Sequence, residues 1–131
     1  MSKIIKTEEE WKQQLNEETY RIAREQGTEA PFSGAFYKNE EGGIYNCICC
    51  HSPLFTSQEK YDSGSGWPSF WQPVNEQCIT EIKDTSLGMA RVEVRCTSCD
   101  AHLGHVFEDG PKPTGLRYCI NSVCLSFEKE V

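Results

Sequence analysis

The sequence has 131 residues, of which 20 are acidic and 13 basic, giving a formal net charge of −7. This length suits one ordinary domain over residues 1–131, and an acidic chain without a Lys/Arg cluster is unlike a nucleic-acid-binding protein. Since no stretch approaches the roughly 18 apolar residues of a membrane span, and MSKIIKTEEEW lacks the apolar run of a signal peptide, we expect a soluble cytoplasmic protein.

Two short helices are predicted over about residues 7–27. The first begins in Thr7-Glu8-Glu9-Glu10, where the Thr7 hydroxyl can bond the amide of Glu10 in a capping box. Asn16 can cap a second helix, NEETYRIAREQ, which we expect Gly27 to close at its C-terminal end.

From Phe32 onward the residue pattern is that of β structure, and we expect a β domain over about residues 32–127. GAFYKNEEGGIYNC predicts a hairpin around a Gly-rich turn. MARVEVRC alternates apolar and polar residues, which predicts a strand from Met89 to Cys96 with one buried face and one face in water. EKYDSGSGWPSFWQP and EDGPKPTG predict loops. The fold class is therefore mainly β, with the two helices packed on antiparallel strands.

Two cysteine pairs have the spacing of a metal site. Cys47 and Cys50 lie in YNCICCHSP, and Cys96 and Cys99 lie in VRCTSCDA. Two such CxxC turns supply the four thiolates of a closed tetrahedral zinc site, so we expect one structural zinc ion per chain rather than a catalytic one. Cys49 also lies in the first turn, but with poorer spacing. The alternative is two unrelated pairs of buried thiols.

Four further cysteines are Cys49, Cys78, Cys119 and Cys124. Only Cys119 has neighbours that suggest a reactive thiol, because Arg117, Cys119 and Asn121 point to one face of the strand-like run GLRYCINSVCLSF while the apolar residues between them point to the other. The alternative is that Cys119 is a small hydrophobe beside incidental polar residues. The apolar phase then changes, which predicts a bulge near Asn121 and Ser122.

Two histidines follow the second cysteine pair in DAHLGHVFEDG. His102 and His105 fall on opposite faces of a regular strand, but Gly104 permits a bulge that would turn both rings the same way. Considered alone, the two histidines fit a structural role or a second metal site as well as a catalytic role. The loop DSGSGWPSFWQP carries Trp67 and Trp71, whose rings either line an apolar pocket or cover the edge of the core.

Taken together, YDSGSGWPSF, RCTSCDAHLGHVFEDGP and GLRYCINS resemble the B-type methionine sulfoxide reductases, the family specific for the R epimer of methionine sulfoxide. The resemblance extends from about Thr7 to Phe127 and is to the zinc-binding form. It implies two antiparallel β sheets in a β-tent fold, with zinc away from the active site. It also implies reduction of methionine sulfoxide in oxidised proteins or peptides. We further expect a monomer that is recycled by thioredoxin or another thiol reductant.

The same motifs imply roles for individual residues. Cys119 matches the nucleophile of the family, and Trp67 matches the ring that holds the methyl group of the substrate. The polar residues that match the surroundings of the nucleophile are His102, His105, Asp109, Arg117 and Asn121. The residues that match the zinc ligands are Cys47, Cys50, Cys96 and Cys99.

These residue types suit sulfoxide reduction, because a thiolate attacks the sulfur only when the sulfoxide oxygen is protonated or strongly hydrogen-bonded. Cys119 would attack, and His102 or His105 would supply the proton. Arg117 could lower the thiol pKa, and Asn121 could orient a ring or the oxygen. Loss of methionine would leave a sulfenic acid on the cysteine.

One position departs from the family pattern. Many members carry a resolving cysteine where this chain has Ser65, and no cysteine precedes Cys47. Cys124 lies too far along the strand from Cys119 for a disulfide, which leaves Cys78 as the candidate internal resolver. We expect instead that the sulfenic acid persists until an external thiol removes it. The alternative function is a zinc-organised β binding or chaperone module, which would not need Cys119.

Overall fold

The structure is a computed structural model that describes residues 6–85 and 90–129. The first five residues, on which the signal-peptide reading rests in part, and Met89 of the predicted strand lie outside the described residues. Helix α1 spans Glu8–Gln14 and begins with the predicted capping box. The Thr7 hydroxyl accepts a hydrogen bond from the Glu10 amide, and the Glu10 carboxylate accepts one from the Thr7 amide. Within the described ranges, no helix is both long and apolar enough to cross a membrane.

Helix α2 spans Glu17–Ala23 and begins where predicted, because the Asn16 side chain accepts a hydrogen bond from the Thr19 amide. The predicted closure of this helix at Gly27 is wrong, since Arg24 is the C-cap and the left-handed residue is Gln26, with φ of 59°. The close approach of Gly27 to Arg21 is what favours glycine there. The Gly27 amide bonds the Arg21 carbonyl oxygen at 3.0 Å, and a Cβ would lie 2.9 Å from that oxygen.

Within residues 6–85 and 90–129, nine strands follow the helices, and they form two antiparallel sheets, as expected. The strands are β1 Gly43–Cys47, β2 Pro53–Thr56, β3 Lys60–Tyr61, β4 Ser69–Phe70, β5 Ile79–Asp84, β6 Arg91–Cys96, β7 His102–Phe107, β8 Arg117–Ile120 and β9 Leu125–Lys129. The small sheet has the order β2-β1-β9, and the large sheet has the order β3-β4-β8-β7-β6-β5.

Aromatic rings fill the space between the two sheets. Phe55 of the small sheet stacks on Phe70 of the large sheet, with ring centroids 4.4 Å apart, and it also contacts Tyr118. Tyr45 packs edge-on against Phe70. Because Tyr118 faces this core, the residues beside it on β8 point to the opposite face of the large sheet.

Three features of the predicted β structure are wrong. Residues 35–38 form a turn instead of the first strand of a hairpin, because the Phe36 ring packs on Tyr45 and Phe127 and covers the small sheet. The tryptophan loop contains β3 and β4, whereas EDGPKPTG is a loop as predicted. The chain crosses from β8 to β9 through a 3-10 turn, Ser122–Cys124, rather than a bulge.

The second face of β6 is also less exposed to solvent than predicted. Glu93 lies on that face and is only 3 % exposed. Its carboxylate accepts hydrogen bonds from Arg95 and His102, which replace water. Burial alone would raise the pKa of Glu93, but these two hydrogen bonds and the nearby positive charges lower it.

Candidate functional site

Strand β8 places the Cys119 thiol on the outer face of the large sheet. Tyr118 and Ile120 are buried in the core while Arg117 and Cys119 are half-buried, so the predicted alternation of faces is confirmed. Cys119 lies directly opposite Ser69 on β4 and His105 on β7. Residues opposite each other on antiparallel strands share a face, so a hydroxyl and an imidazole flank the thiol.

The thiol opens into a pocket of about 260 Å³. The predicted site residues that line this pocket are Trp67, His105, Arg117, Cys119 and Asn121. Ser65 and Gly104, which the sequence marked for other reasons, also line it, and the lining residues that the sequence did not single out are Thr28, Arg91 and Phe107. Five separate segments of the chain therefore meet at one cavity.

A register irregularity in β7 turns both histidines towards the same side, as predicted. Val94 pairs with Gly104, but the next residue, Arg95, pairs with His102. The two imidazole rings consequently lie 5.6 Å apart, edge to face. Gly104 is required at this place because a Cβ would lie 2.0 Å from the Cys119 carbonyl oxygen.

The two histidines differ in their surroundings. His105 lines the pocket, and its Nε2 lies 2.8 Å from the Asp84 carboxylate, which also pairs with Arg91. His102 lies behind it, with Nδ1 2.7 Å from the Glu93 carboxylate. Its Nε2 is buried without a hydrogen-bond partner in the part of the chain that the structure describes. Burial lowers the pKa of His102, against the effect of Glu93.

Arg117 is held by two hydrogen bonds to Asp109. Its Nε and Nη2 donate to the two carboxylate oxygens at 2.9 and 3.1 Å, and its guanidinium lies 4.4 Å from the centre of the Phe107 ring. The hydrogen bond from Arg117 lowers the pKa of Asp109. The pair fixes the guanidinium at the edge of the pocket.

Asn121 is buried at the end of β8, and both of its polar side-chain atoms bond to backbone. Nδ2 donates to the Leu103 carbonyl oxygen, and Oδ1 accepts from the Glu29 amide, each at 3.0 Å. The structure thus gives this carboxamide a part in anchoring the strand. Of the two expected roles, orienting an imidazole is not seen, since these hydrogen bonds go to backbone, and orienting the sulfoxide oxygen stays a prediction.

Glu29 is a site residue that the sequence did not reveal. It is 2 % exposed, and its carbonyl oxygen accepts a hydrogen bond from Trp67 Nε1 at 3.0 Å. Its carboxylate accepts from the Val123 amide, and burial raises its pKa. No local pattern in GTEAPFS marks this glutamate, because its partners lie far along the chain.

Ser65 belongs to a cluster of three hydroxyl groups beside Cys119. The Ser63 hydroxyl donates to Ser65 at 2.8 Å and lies 2.7 Å from the Ser69 hydroxyl. Burial raises the pKa of Cys119, whereas the charge of Arg117 and a hydrogen bond with Ser65 act to lower it. The expected effect of Arg117 is therefore present but is outweighed by burial.

The predicted zinc ligands form a second centre. The sulfur atoms of Cys47, Cys50, Cys96 and Cys99 all lie within 4.8 Å of one another. Cys47 and Cys99 are 3.6 Å apart, and Cys50 and Cys96 are 3.5 Å apart. Tetrahedral zinc with Zn–S bonds of about 2.3 Å needs sulfur–sulfur distances of roughly 3.8 Å, so the four thiols fit one structural zinc ion.

The two CxxC turns have the same backbone shape. In each turn, the residue after the second cysteine has a left-handed φ. The value is 66° for His51 and 62° for Asp100. The amides of these residues bond the carbonyl oxygens of Cys47 and Cys96, both at 2.8 Å. Because Cys47 ends β1 and Cys96 ends β6, a zinc ion held by both turns would join the small sheet to the large one.

Of the cysteines that could resolve a sulfenic acid, Cys78 lies far from Cys119 and Cys124 is buried. Cys119 pairs with His105 on β7, which pairs with Glu93 on β6, and Glu93 in turn pairs with Ile82 on β5. Ile82 therefore lies three strands away from Cys119. Cys78 lies four residues before Ile82, so the α carbons of Cys78 and Cys119 are roughly 20 Å apart at about 4.8 Å per strand and 3.3 Å per residue. Cys124 is fully buried, and its thiol donates to the His102 carbonyl oxygen.

Comparison with known proteins gives a consistent result. The family model of the SelR domain matches residues 15–129. A protein of Hahella chejuensis named peptide methionine sulfoxide reductase MsrB is 58 % identical over 127 residues, covering 97 % of this chain and 91 % of its own. Proteins of the same name from Thioalkalivibrio sulfidiphilus and Pseudomonas syringae are 60 % and 61 % identical, covering 93 % and 95 % of this chain and 89 % and 95 % of their own.

Proposed function

The chain belongs to the SelR domain family, and from this membership we infer how its own residues carry out the reaction. It is a peptide methionine (R)-S-oxide reductase, which reduces the R epimer of methionine sulfoxide to methionine. A non-enzymatic zinc-organised module, the alternative that the sequence left open, is set aside by this family assignment.

We propose Cys119 as the nucleophile. One observation carries this proposal, namely that the thiol lies between Ser69 and His105 on the outer face and opens into the pocket lined by Trp67. In the reaction, the thiolate attacks the sulfoxide sulfur, and the oxygen is transferred to Cys119 as methionine leaves. The sulfoxide gains two electrons and the cysteine loses two, which yields a sulfenic acid.

The proton for the sulfoxide oxygen is assigned to His105. This imidazole lines the pocket opposite Cys119, and the Asp84 carboxylate bonded to Nε2 orients the ring. His102 does not line the pocket and supports the ring of His105 from behind, at 5.6 Å. Since burial raises the pKa of Cys119, the free enzyme holds a neutral thiol, whose own proton can pass through His105 to the oxygen.

Arg117, Asp109, Asn121 and Trp67 are proposed to prepare the site for the R epimer. Trp67 is held by its hydrogen bond to Glu29 and offers an apolar face for the methyl group of the substrate. Asp109 fixes Arg117 near the thiol, where its charge favours the thiolate. Asn121 fixes the end of the nucleophile strand through Leu103 and Glu29.

The zinc ion is structural, because its four thiolate ligands leave no open coordination position for substrate. When bound, it would crosslink the two sheets. Both helices rest on the zinc-binding turns, since Gln14 donates to the Cys49 carbonyl oxygen and Arg24 donates to that of Cys99. These contacts support a single domain over residues 1–131.

Recycling is proposed to use an external thiol, such as thioredoxin or a small reductant. A disulfide requires α carbons within about 7 Å, which the estimated separation of Cys78 and Cys119 far exceeds. A four-thiolate zinc site and a thiol-recycled cysteine both suit a reducing compartment, so we assign the protein to the cytoplasm. We also propose that it acts as a monomer, since one chain supplies the whole pocket.

The proposal is tested with purified protein, dithiothreitol, and separated R and S epimers of N-acetyl-methionine sulfoxide. Only the R epimer should be consumed, and Cys119→Ser should abolish its consumption while zinc content stays at one ion per chain. Equal use of both epimers, or turnover by the Cys119→Ser protein, would contradict the proposed mechanism.

A further inference from the structure

An exposed apolar segment lies beside the pocket. Ala30, Pro31 and Phe32 are all exposed, and residue Phe32 is 64 % exposed. Among the described residues, Ile44 is the other large exposed hydrophobic residue, at 38 %. A single exposed apolar side chain is common on protein surfaces, so the significance of Phe32 depends on how it is held and where.

The backbone holds the Phe32 ring outward at an energetic cost. Its φ is 64°, in the left-handed region that bulky residues rarely occupy. The Phe32 amide donates to the Gly66 carbonyl oxygen at 2.7 Å, and the ring contacts the Tyr37 ring edge-on at 5.1 Å. The chain thus maintains an unfavourable conformation without burying the side chain.

The segment is continuous with the walls of the pocket. Thr28 lines the pocket two residues before Ala30, and Gly66 lies next to the pocket residue Trp67. The Phe32 ring lies over Gly66, since a Cβ there would be 3.0 Å from two ring atoms. A polypeptide whose methionine sulfoxide enters the pocket would therefore pass close to this ring.

We propose that residues 30–32, with Phe32 as the principal contact, form a docking surface for the polypeptide that flanks the methionine sulfoxide. The surface favours substrates with an apolar side chain next to the oxidised methionine. This inference rests on the proposed function. It extends it from the sulfoxide group to the surrounding sequence of the substrate.

The experiment compares three substrates, each as the R epimer. These are free methionine sulfoxide, the blocked peptide Gly-Gly-Met(O)-Gly-Gly, and the blocked peptide Gly-Leu-Met(O)-Leu-Gly. Wild-type protein, Phe32→Ala, Phe32→Leu and Ile44→Ala are assayed with dithiothreitol, and Ile44→Ala is the control for loss of an exposed apolar side chain away from the pocket. Thermal unfolding and sedimentation velocity are recorded for each protein.

In Phe32→Ala, the ratio of kcat/KM for the leucine peptide to kcat/KM for the free sulfoxide should fall by about fivefold, chiefly through KM. This size is expected when an aromatic contact that is partly buried in the complex is lost. Phe32→Leu should retain much of the ratio, and Ile44→Ala should match wild type. An unchanged ratio in Phe32→Ala, an equal loss on all three substrates, or a changed oligomeric state would overturn the docking surface. Failure of wild type on every substrate would instead refute the proposed function.

Discussion

The indole nitrogen of Trp67 lies 3.0 Å from the carbonyl oxygen of Glu29 and donates a hydrogen bond to it. The amide of the same glutamate donates to Asn121, at the end of the nucleophile strand. One buried residue therefore fixes both the apolar wall of the pocket and the strand that carries Cys119.

The buried carboxyl group of Glu29 should make stability depend on pH. Burial raises its pKa above the usual 4.5, so the folded chain binds this proton more tightly than the unfolded chain does. Its contribution to stability is complete below pH 4.5 and is lost as the pH rises through the raised pKa. Glu29→Gln should therefore reduce the fall in the free energy of unfolding above pH 4.5, measured by urea unfolding. Glu25→Gln, at an exposed position, is the control, and identical pH profiles for all three proteins would refute this role.

Removal of one zinc ligand should destabilise the chain far more than removal of the neighbouring cysteine. Cys50→Ser should lose the metal and lower the free energy of unfolding by about 4 kcal/mol or more. Cys49→Ser keeps all four ligands and should retain one zinc ion, as measured by metal analysis and denaturant unfolding. Full zinc content in Cys50→Ser would show that the ligand set is different.

Oxidation by one equivalent of substrate should leave a single oxygen on the enzyme. Without reductant, intact mass should rise by about 16 Da, the mark of a sulfenic acid. Cys78→Ser should show the same rise of about 16 Da over its own unreacted mass and the same turnover with dithiothreitol, because Cys78 lies too far from Cys119 to form a disulfide. A loss of about 2 Da, with peptide mapping that joins these two cysteines, would overturn external recycling.

Loss of the Ser65 hydroxyl should raise the pKa of Cys119, since a hydrogen bond with Ser65 favours the thiolate. The rate of alkylation by iodoacetamide at pH 7 should fall about fivefold in Ser65→Ala. Ser65→Thr keeps a hydroxyl and should stay close to wild type, as should Ser126→Ala in the small sheet.

Other ionisable groups also lie near this thiol, and they remain in every variant. Arg117 lowers the pKa of Cys119, and Glu29 and Asp109 raise it. His105 lies on the neighbouring strand β7, and Tyr61 lies on β3, two strands away. The comparison between Ala and Thr at position 65 therefore isolates the hydroxyl. Equal alkylation profiles for these two variants would refute its role.

Local signals in the sequence predicted the parts of the structure that depend on nearby residues. The capping box at Thr7 closes within three residues, and each CxxC turn brings its two thiols together without help from the rest of the chain. The alternation of Arg117, Tyr118 and Cys119 likewise assigned the faces of β8, because a strand has a fixed period of two.

The parts that the sequence did not predict depend on distant pairs. Glu29 meets Asn121 and Val123 across more than 90 positions of the chain, so neither the burial nor the role of Glu29 leaves a local pattern. Glu93 occupies the polar position of an alternating strand, and only the folded chain brings His102 within hydrogen-bonding distance of it. Phe36 was assigned to a strand because two short runs flank a Gly-rich turn in GAFYKNEEGGIYNC, whereas in the fold its ring packs on Tyr45 and covers the small sheet.

Strand β8 is third in the six-strand sheet, bonded to β4 on one side and β7 on the other. A nucleophile on such a strand cannot swing to a second position, so the reductant must come to the pocket that methionine has just left. Substrate and reductant then occupy the same cavity in turn and never together. Initial rates measured against both should give parallel double-reciprocal lines, the kinetics of a double displacement.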